Sequence, residues 1–188
     1  APEDPESLDW DAVLATLGDG DELLVYGFTW MLWLGWAQAD VPERLREVRV
    51  DFVHSGGWKK LETISVAREE FDSALLATVG AGSRVLDYYG MTEQIGMIFP
   101  LCPHGVRHVP TWGDVLVRDP WTLEPLPPGE VGMLQLLNVL ALGAPYHSVL
   151  SEDVGQLVPG PCACGRGGRT FVLDGRVPKA ELRGCANA

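Results

Sequence analysis

Apolar residues recur along the first hundred positions with two alternating periods. Residues 5–17 place Leu8, Ala12, Val13 and Leu17 on one side of a 3.6-residue repeat, which predicts a short amphipathic helix. Gly18-Asp19-Gly20-Asp21 reads as a turn and Leu23-Leu24-Val25-Tyr26 as a buried strand. Gly27 then opens a helix whose Trp30, Trp33 and Trp36 form a packing stripe. Alternation through Arg49-Val50-Asp51-Phe52-Val53-His54 predicts a second strand, ended by Ser55-Gly56-Gly57. The helical period returns over residues 65–79, with acidic residues near the start and Gly80-Ala81-Gly82 as the stop. The β-like run Arg84-Val85-Leu86-Asp87-Tyr88 follows. Strands alternating with helices imply parallel strands with helices packed against them. Beyond Pro100, prolines and glycines punctuate short β-rich runs at Val115-Leu116-Val117, Met133-Leu134-Gln135-Leu136-Leu137 and Phe171-Val172-Leu173. The expected fold class is α/β over residues 1–100, with parallel strands and flanking helices, followed by a β-rich lobe over residues 101–188.

Composition narrows the function classes. The chain has 188 residues and a formal net charge of −12, with no Lys/Arg run, so nucleic-acid binding is not expected. An acidic chain that holds a nucleotide must supply local donors or a metal ion. The most apolar stretch, residues 28–37, is well short of the roughly 18 residues of a membrane span. The first twenty residues are acidic and lack the pattern of a signal peptide, so a cytoplasmic protein without a membrane span is expected. The chain starts at Ala1 rather than Met, which suggests a piece of something longer. In a reducing compartment, Cys102, Cys162, Cys164 and Cys185 point to metal binding or catalysis rather than disulfides.

Four segments carry candidate chemistry. Tyr89-Gly90-Met91-Thr92-Glu93 ends a strand and combines an aromatic face, room for a close backbone approach, a hydroxyl and a carboxylate. Those are the parts needed for a base, a phosphate and Mg²⁺. Ser55-Gly56-Gly57-Trp58-Lys59-Lys60 offers backbone access to a flat ligand and two cations. Ser151-Glu152-Asp153-Val154-Gly155 reads as a tight turn whose carboxylate can accept both hydroxyls of a ribose. Gly175-Arg176-Val177-Pro178-Lys179 follows a strand. Taken singly, each segment is an ordinary turn or hairpin end.

A second constellation is Cys102-Pro103-His104-Gly105-Val106-Arg107-His108 with Cys162-Ala163-Cys164-Gly165. Three sulfurs and an imidazole make a closed tetrahedral Zn²⁺ site. His108 is the better fourth ligand, because His104 in Cys-Pro-His has poor reach back to the ion. Free thiols in a β-lobe are the alternative. Cys185, close to the C-terminus, is either a spare thiol or a nucleophile on a tail. His54 and His147 fit packing as well as a substrate contact.

Taken in order, the four segments resemble the adenylate-forming (ANL) superfamily. With Gln94, Cys162-Ala163-Cys164-Gly165-Arg166 and Arg183-Gly184-Cys185 added, they look like the acyl-protein synthetases of bacterial luminescence, the long-chain-fatty-acid–luciferin-component ligases. The resemblance covers about residues 22–188. It implies the back half of an adenylating large domain that uses ATP and Mg²⁺ to convert a carboxylic acid, a fatty one, to an acyl-AMP. Tyr89 and Gly90 with Gly56 and Gly57 would then hold adenine, Thr92 would contact the α-phosphate, Glu93 would hold Mg²⁺, and Asp153 with Arg176 would bind ribose. Cys185 would accept the acyl group and pass it to a partner protein such as a reductase. The superfamily's phosphate-cradling Ser/Thr/Gly loop is expected upstream of residue 22, and residues 1–21 contain nothing like it; the superfamily's large C-terminal domain is also absent, although the luminescence synthetases lack a full version too. The chain is therefore expected to need a missing N-terminal half for catalysis. Two other readings stay open. One is a ligase of the phenylacetate–CoA type, whose relatives look similar around the cysteines. The other is a non-catalytic, zinc-stapled remnant that binds nucleotide or protein.

Overall fold

The computed structural model describes residues 8–177. The chain folds as two compact units, residues 1–87 and 88–188.

The first unit opens with α1 (Trp10–Ala15), whose N-terminus is capped by Asp9 accepting the Ala12 N–H at 3.0 Å. Strand β1 (Glu22–Phe28) runs through Gly27, which the sequence pattern assigns to a helix. Helix α2 (Thr29–Leu32) therefore starts two residues later, and it widens into a π-turn over Trp33–Ala37. The wider turn buries Trp33, Gly35 and Trp36 together. Strand β2 (Arg49–Ser55) pairs in parallel with β1, from Glu22 opposite Arg49 to Phe28 opposite Ser55. Its Val50, Phe52 and His54 point into the core. Helix α3 (Arg68–Leu76) buries Phe71 and Leu75. It is shorter than the periodicity suggests because Ala67, at φ −61° and ψ 152°, is extended and lacks a side-chain cap. Strand β3 (Arg84–Tyr89) lies beside β2.

These elements share one core of Leu32, Trp33, Trp36, Leu45, Val50, Phe52, Phe71 and Leu75. Trp36 sits at its centre, 2% exposed, edge-on to Trp10 and Phe52 with ring centroids 5.0 Å away in each case. Its Nε1 donates to Thr78 Oγ1 at 3.0 Å. Trp36→Ala leaves a large cavity and removes the indole's bond to the Thr78 hydroxyl, which keeps its own bond to the Leu75 carbonyl at 2.7 Å. A loss of about 3–5 kcal/mol is expected, read as a lower midpoint in urea unfolding followed by circular dichroism.

In the second unit the last two residues of β3 pair antiparallel with β4 (Phe99–Pro100), Tyr88 opposite Pro100 and Tyr89 opposite Phe99. An antiparallel five-stranded sheet follows, built from β5 (Arg107–His108), β6 (Gly113–Arg118), β7 (Val131–Asn138), β8 (Ser148–Leu157) and β9 (Thr170–Arg176). Its strand order is β5-β9-β8-β7-β6. Met97, Phe99, Val115, Val117, Leu134, Leu136, Leu157 and Phe171 fill its core.

One local expectation changes. Residues 151–155 are the middle of β8, not a turn. Ser151 holds them there: its buried hydroxyl donates to the Leu134 carbonyl at 2.9 Å and accepts the Asp153 N–H at 3.2 Å. Gly155 is needed for close strand approach, since a Cβ there would lie 2.2 Å from the Val172 carbonyl oxygen. The register shifts between Val154 and Gly155, which turns the preceding residues. Among the described residues, no helix is long and apolar enough to cross a membrane.

Candidate functional site

The Cys/His cluster forms where two loops of the second unit meet. Cys102 follows β4 in a tight turn whose Gly105 has φ +74° and donates its N–H to the Cys102 carbonyl at 2.9 Å. The turn closes at β5, where His108 is 2% exposed. Cys162 and Cys164 lie in the β8–β9 connection, held by the Gly165 N–H on the Cys162 carbonyl at 3.1 Å. The donor atoms of Cys102, His108, Cys162 and Cys164 all lie within 4.8 Å of one another. Cys102 Sγ is 3.7 Å from Cys162 Sγ, and Cys164 Sγ is 3.3 Å from His108 Nε2.

Those separations identify what the cluster can hold. A disulfide needs sulfurs about 2.05 Å apart. A tetrahedron with metal–sulfur bonds of about 2.3 Å has edges of about 3.8 Å. The four residues fit a metal ion in both spacing and donor type.

Electrostatics work the same way at two of the ligands. Burial opposes ionisation of Cys102, but the N–H groups of His104 and Val106 and the neighbouring thiols hold its thiol below the usual range. Burial, with Arg166 beside it, keeps the His108 imidazole below its ordinary value and hence neutral. At Cys162 the Cys164 amide favours the thiolate, yet desolvation and the adjacent sulfurs push its thiol up. A cation would remove that repulsion. His104 is exposed and outside the cluster.

The second site is a polar grip between β3, β8 and β9. Asp153 and Arg176 are register partners, and Arg176 Nε donates to Asp153 Oδ1 at 2.9 Å. Tyr89 donates its hydroxyl to Asp153 Oδ2 at 2.6 Å. The Tyr89 ring packs on Phe99 and Phe171, with centroids 5.7 and 6.2 Å away. Burial, then the adjacent Asp153 charge, push the Tyr89 phenol well above its ordinary range, so it stays a donor. Asp153 is 7% exposed.

Gly90 follows Tyr89 at the surface, and a Cβ there would lie 3.1 Å from the Met97 carbonyl. Thr92 and Glu93 project from the 3₁₀ turn Thr92–Gln94, both exposed. Gln94, absent from the candidate residues read from the sequence, anchors that turn. It is 1% exposed, accepts from Asn138 Nδ2 at 2.7 Å and donates to the Tyr146 carbonyl. Asn138 in turn accepts the Leu140 and Ala141 N–H groups at 2.8 and 3.0 Å. The available sequence signal was a third consecutive polar residue directly after Thr92-Glu93. His147 is exposed.

Gly56 and Gly57 lie in the first unit, at the end of β2. Gly56 has φ +76°, and its carbonyl accepts the Thr29 hydroxyl at 2.5 Å. Thr29 also lies 2.9 Å from His54 Nδ1, and the His54 ring packs on Phe71. Cys185 lies outside the described residues.

A family model described as acyl-protein synthetase, LuxE, matches residues 11–188. A long-chain-fatty-acid–luciferin-component ligase of Vibrio harveyi is 30% identical over 136 residues, which is 71% of this chain and 35% of the relative. Its namesake in Aliivibrio fischeri is 28% identical over 109 residues, 57% of this chain and 28% of the relative. The chain thus spans about a third of the length of these relatives. Among solved structures, a benzoate CoA ligase from Burkholderia xenovorans LB400 aligns with TM-score 0.56 at 20% identity, over 88% of this chain and 34% of that one. The amide bond synthetase McbA from Marinactinospora thermotolerans aligns with TM-score 0.57 at 17% identity, over 90% of this chain and 34% of that one. The chain thus shares its fold with part of each of these solved structures.

Proposed function

The chain belongs to the acyl-protein synthetase (LuxE) family, and on that premise we propose that it carries the nucleotide grip of an enzyme that activates a long-chain fatty acid with ATP. The observation that carries the reading is the Asp153 carboxylate, held from two sides by Tyr89 and Arg176. A carboxylate so fixed is oriented in advance to accept the two hydroxyls of a ribose, which lowers the cost of ordering the nucleoside. The Tyr89 ring and the open backbone at Gly90 border the base. Thr92 and Glu93, exposed on a turn that Gln94 anchors, face the phosphates; Thr92 donates to the α-phosphate and Glu93 would hold the Mg²⁺ that neutralises phosphate charge.

The reaction proceeds in two steps. A carboxylate oxygen of the fatty acid attacks the α-phosphorus of ATP and expels pyrophosphate. The resulting acyl-AMP is attacked at its carbonyl carbon by a thiolate, which forms a thioester and expels AMP. Cys185 is the acceptor in this proposal, and a partner protein such as a reductase takes the acyl group from it. Catalysis needs the part of the enzyme that this chain does not span. Zn²⁺ on Cys102, His108, Cys162 and Cys164 staples the β4–β5 turn to the β8–β9 connection. Thiols kept in that state fit a cytoplasmic setting.

The test joins this chain to the portion of the family enzyme it does not span. ATP, Mg²⁺ and a long-chain fatty acid are expected to support ATP–pyrophosphate exchange. Intact-mass analysis is expected to find one acyl thioester, mapped to Cys185 and lost in Cys185→Ser while exchange persists. Exchange with acylation elsewhere would reassign the acceptor. No exchange with any carboxylic acid would sink the activity.

A further inference from the structure

Two buried amides meet in the second unit and belong to neither the Cys/His cluster nor the Asp153 grip. Gln94 is the last residue of the 3₁₀ turn Thr92–Gln94, and Asn138 ends β7. Both are buried. Asn138 Nδ2 donates to Gln94 Oε1 at 2.7 Å and to the Tyr146 carbonyl at 3.0 Å. Asn138 Oδ1 accepts the Leu140 and Ala141 N–H groups. Its two amide hydrogens and two oxygen lone pairs are therefore all used. Gln94 Nε2 donates to the same Tyr146 carbonyl. That bond fixes the polarity of the pair. A Gln94 amide turned over would set its oxygen against the Tyr146 carbonyl and its nitrogen against the Asn138 nitrogen.

A buried polar network of this kind holds one geometry, because any displacement strands a polar atom away from water. What it holds follows from where its bonds go. The bonds from Asn138 to Leu140, Ala141 and Tyr146 stay within the β7–β8 connection, residues 139–147. The bond to Gln94 leaves that connection and reaches the turn that carries Thr92 and Glu93. That turn is a single 3₁₀ turn between Gly90 and Gly96, the latter at φ +82°. A segment so short does not fix its own position. Gln94 points into the core while Thr92 and Glu93 point out, so the amide pair is the inner end of the same turn.

We propose that Gln94 and Asn138 are positioning residues for phosphate recognition: their amide pair sets where the Thr92 hydroxyl and the Glu93 carboxylate stand. Both amides are buried, so they act through the turn and not on the nucleotide. The inference rests on the reading above, in which Thr92 and Glu93 serve the α-phosphate and Mg²⁺ while Tyr89 and Asp153 serve the nucleoside. It adds that the phosphate end has a support of its own, in the β7–β8 connection, separate from the Tyr89–Asp153–Arg176 bonds. Loss of that support therefore acts on the phosphate end alone. A displacement of about 1 Å at a reacting group is enough to cost about a hundredfold in rate.

The experiment uses the complete enzyme, this chain joined to the portion it does not span, and compares adenosine with AMP by calorimetric titration. Adenosine tests the nucleoside grip; AMP adds the α-phosphate. Wild type is expected to bind AMP more tightly than adenosine. Gln94→Met keeps the length of the side chain and removes its amide. It is expected to keep the adenosine affinity, to lose at least about tenfold in AMP affinity and to lower ATP–pyrophosphate exchange about a hundredfold. Should Gln94→Met not fold, Gln94→Asn decides. It keeps the amide one carbon shorter, so the pair re-forms only by drawing the turn inward, and the same split between adenosine and AMP is expected. Wild-type AMP affinity and exchange in a folded variant would overturn the proposal. Equal losses for adenosine and AMP would overturn it too, by making the network a support of the whole fold. So would a wild-type enzyme that binds adenosine as tightly as AMP, since its turn then contributes nothing to be positioned. A wild-type enzyme that binds neither ligand would remove the nucleotide reading itself, and the positioning role with it.

Discussion

Cys162→Ser is expected to cost the chain its bound metal and much of the stability of its second unit. Purified without chelator, the wild-type chain should contain one Zn²⁺ per molecule by elemental analysis, and the variant close to none. The cluster joins residues 60 apart in sequence, Cys102 and Cys162. Otherwise this corner of the sheet rests on short β-pairing at Arg107–His108, the Leu101–Arg107 bridge and the Val109 N–H on the Arg169 carbonyl. Structural Zn²⁺ contributes about 10–16 kcal/mol of apparent binding energy in small zinc domains at neutral pH. Even half of that, about 5–8 kcal/mol, is comparable with the typical total stability of a domain, about 5–15 kcal/mol. Serine keeps the volume but offers a hydroxyl that does not ionise near neutrality, so a tetrahedral set is left with three ligands. Thermal unfolding should fall sharply in the variant and in wild type treated with a strong chelator, and the two losses should not add. His104→Ala is the control, expected to retain the metal because that side chain is outside the cluster. The sign with pH is fixed. Metal binding needs thiolates and a neutral imidazole, so it is present at neutral pH and lost on acidification. His108 acts in the same direction. Its folded pKa lies below the ordinary value of 6.5, so its contribution is full above that value and disappears as pH falls through the folded one. A wild-type chain that carries no metal and is indifferent to chelator would refute the staple.

Asp153→Ala carries the second-largest effect. It removes the acceptor of the Tyr89 hydroxyl and the partner of Arg176 at once. The buried phenol loses its carboxylate partner and keeps only the neighbouring Ser151 hydroxyl, while Arg176, whose side chain is 37% exposed, can turn to water. A cost of about 2–4 kcal/mol is expected, weighted toward the buried phenol rather than the half-exposed guanidinium. Two milder variants separate packing from recognition. Tyr89→Phe keeps the ring against Phe99 and Phe171 and removes only the orienting hydrogen bond. Asp153→Asn keeps the shape and removes the charge. Calorimetric titration with AMP, with the complete enzyme assembled, should show binding lost in Asp153→Ala, weakened at least about tenfold in Asp153→Asn and less affected in Tyr89→Phe. Full AMP affinity in Asp153→Ala would show that the carboxylate serves the sheet and not the nucleotide.

Much of the architecture was legible because burial imposes a period. Val50, Phe52 and His54 alternate inward along β2, and Phe71 and Leu75 recur four apart on α3. The change at Pro100 from helical to short β patterns corresponds to the antiparallel sheet that follows. Local signals failed where a distant partner overrode them. Gly27 reads as a helix start, yet pairing with His54 keeps it in β1. Residues 151–155 have the composition of a turn, yet Ser151 bonds the Leu134 carbonyl and holds them in β8. Gln94 carries no hydrophobic signal at all, and its burial is justified only by Asn138 and the Tyr146 carbonyl.

The amino-acid sequence alone determined the order of elements, the family, and which residue types could serve as metal or nucleotide ligands, because periodicity and motif spacing are properties of a line. Tertiary structure decided which of those residues meet. It brought Cys102, His108, Cys162 and Cys164 within 4.8 Å and left His104 out. It placed the Tyr89 hydroxyl on a carboxylate 64 residues away. Such pairings depend on strand register and loop closure, which are set by the whole core rather than by neighbours in sequence.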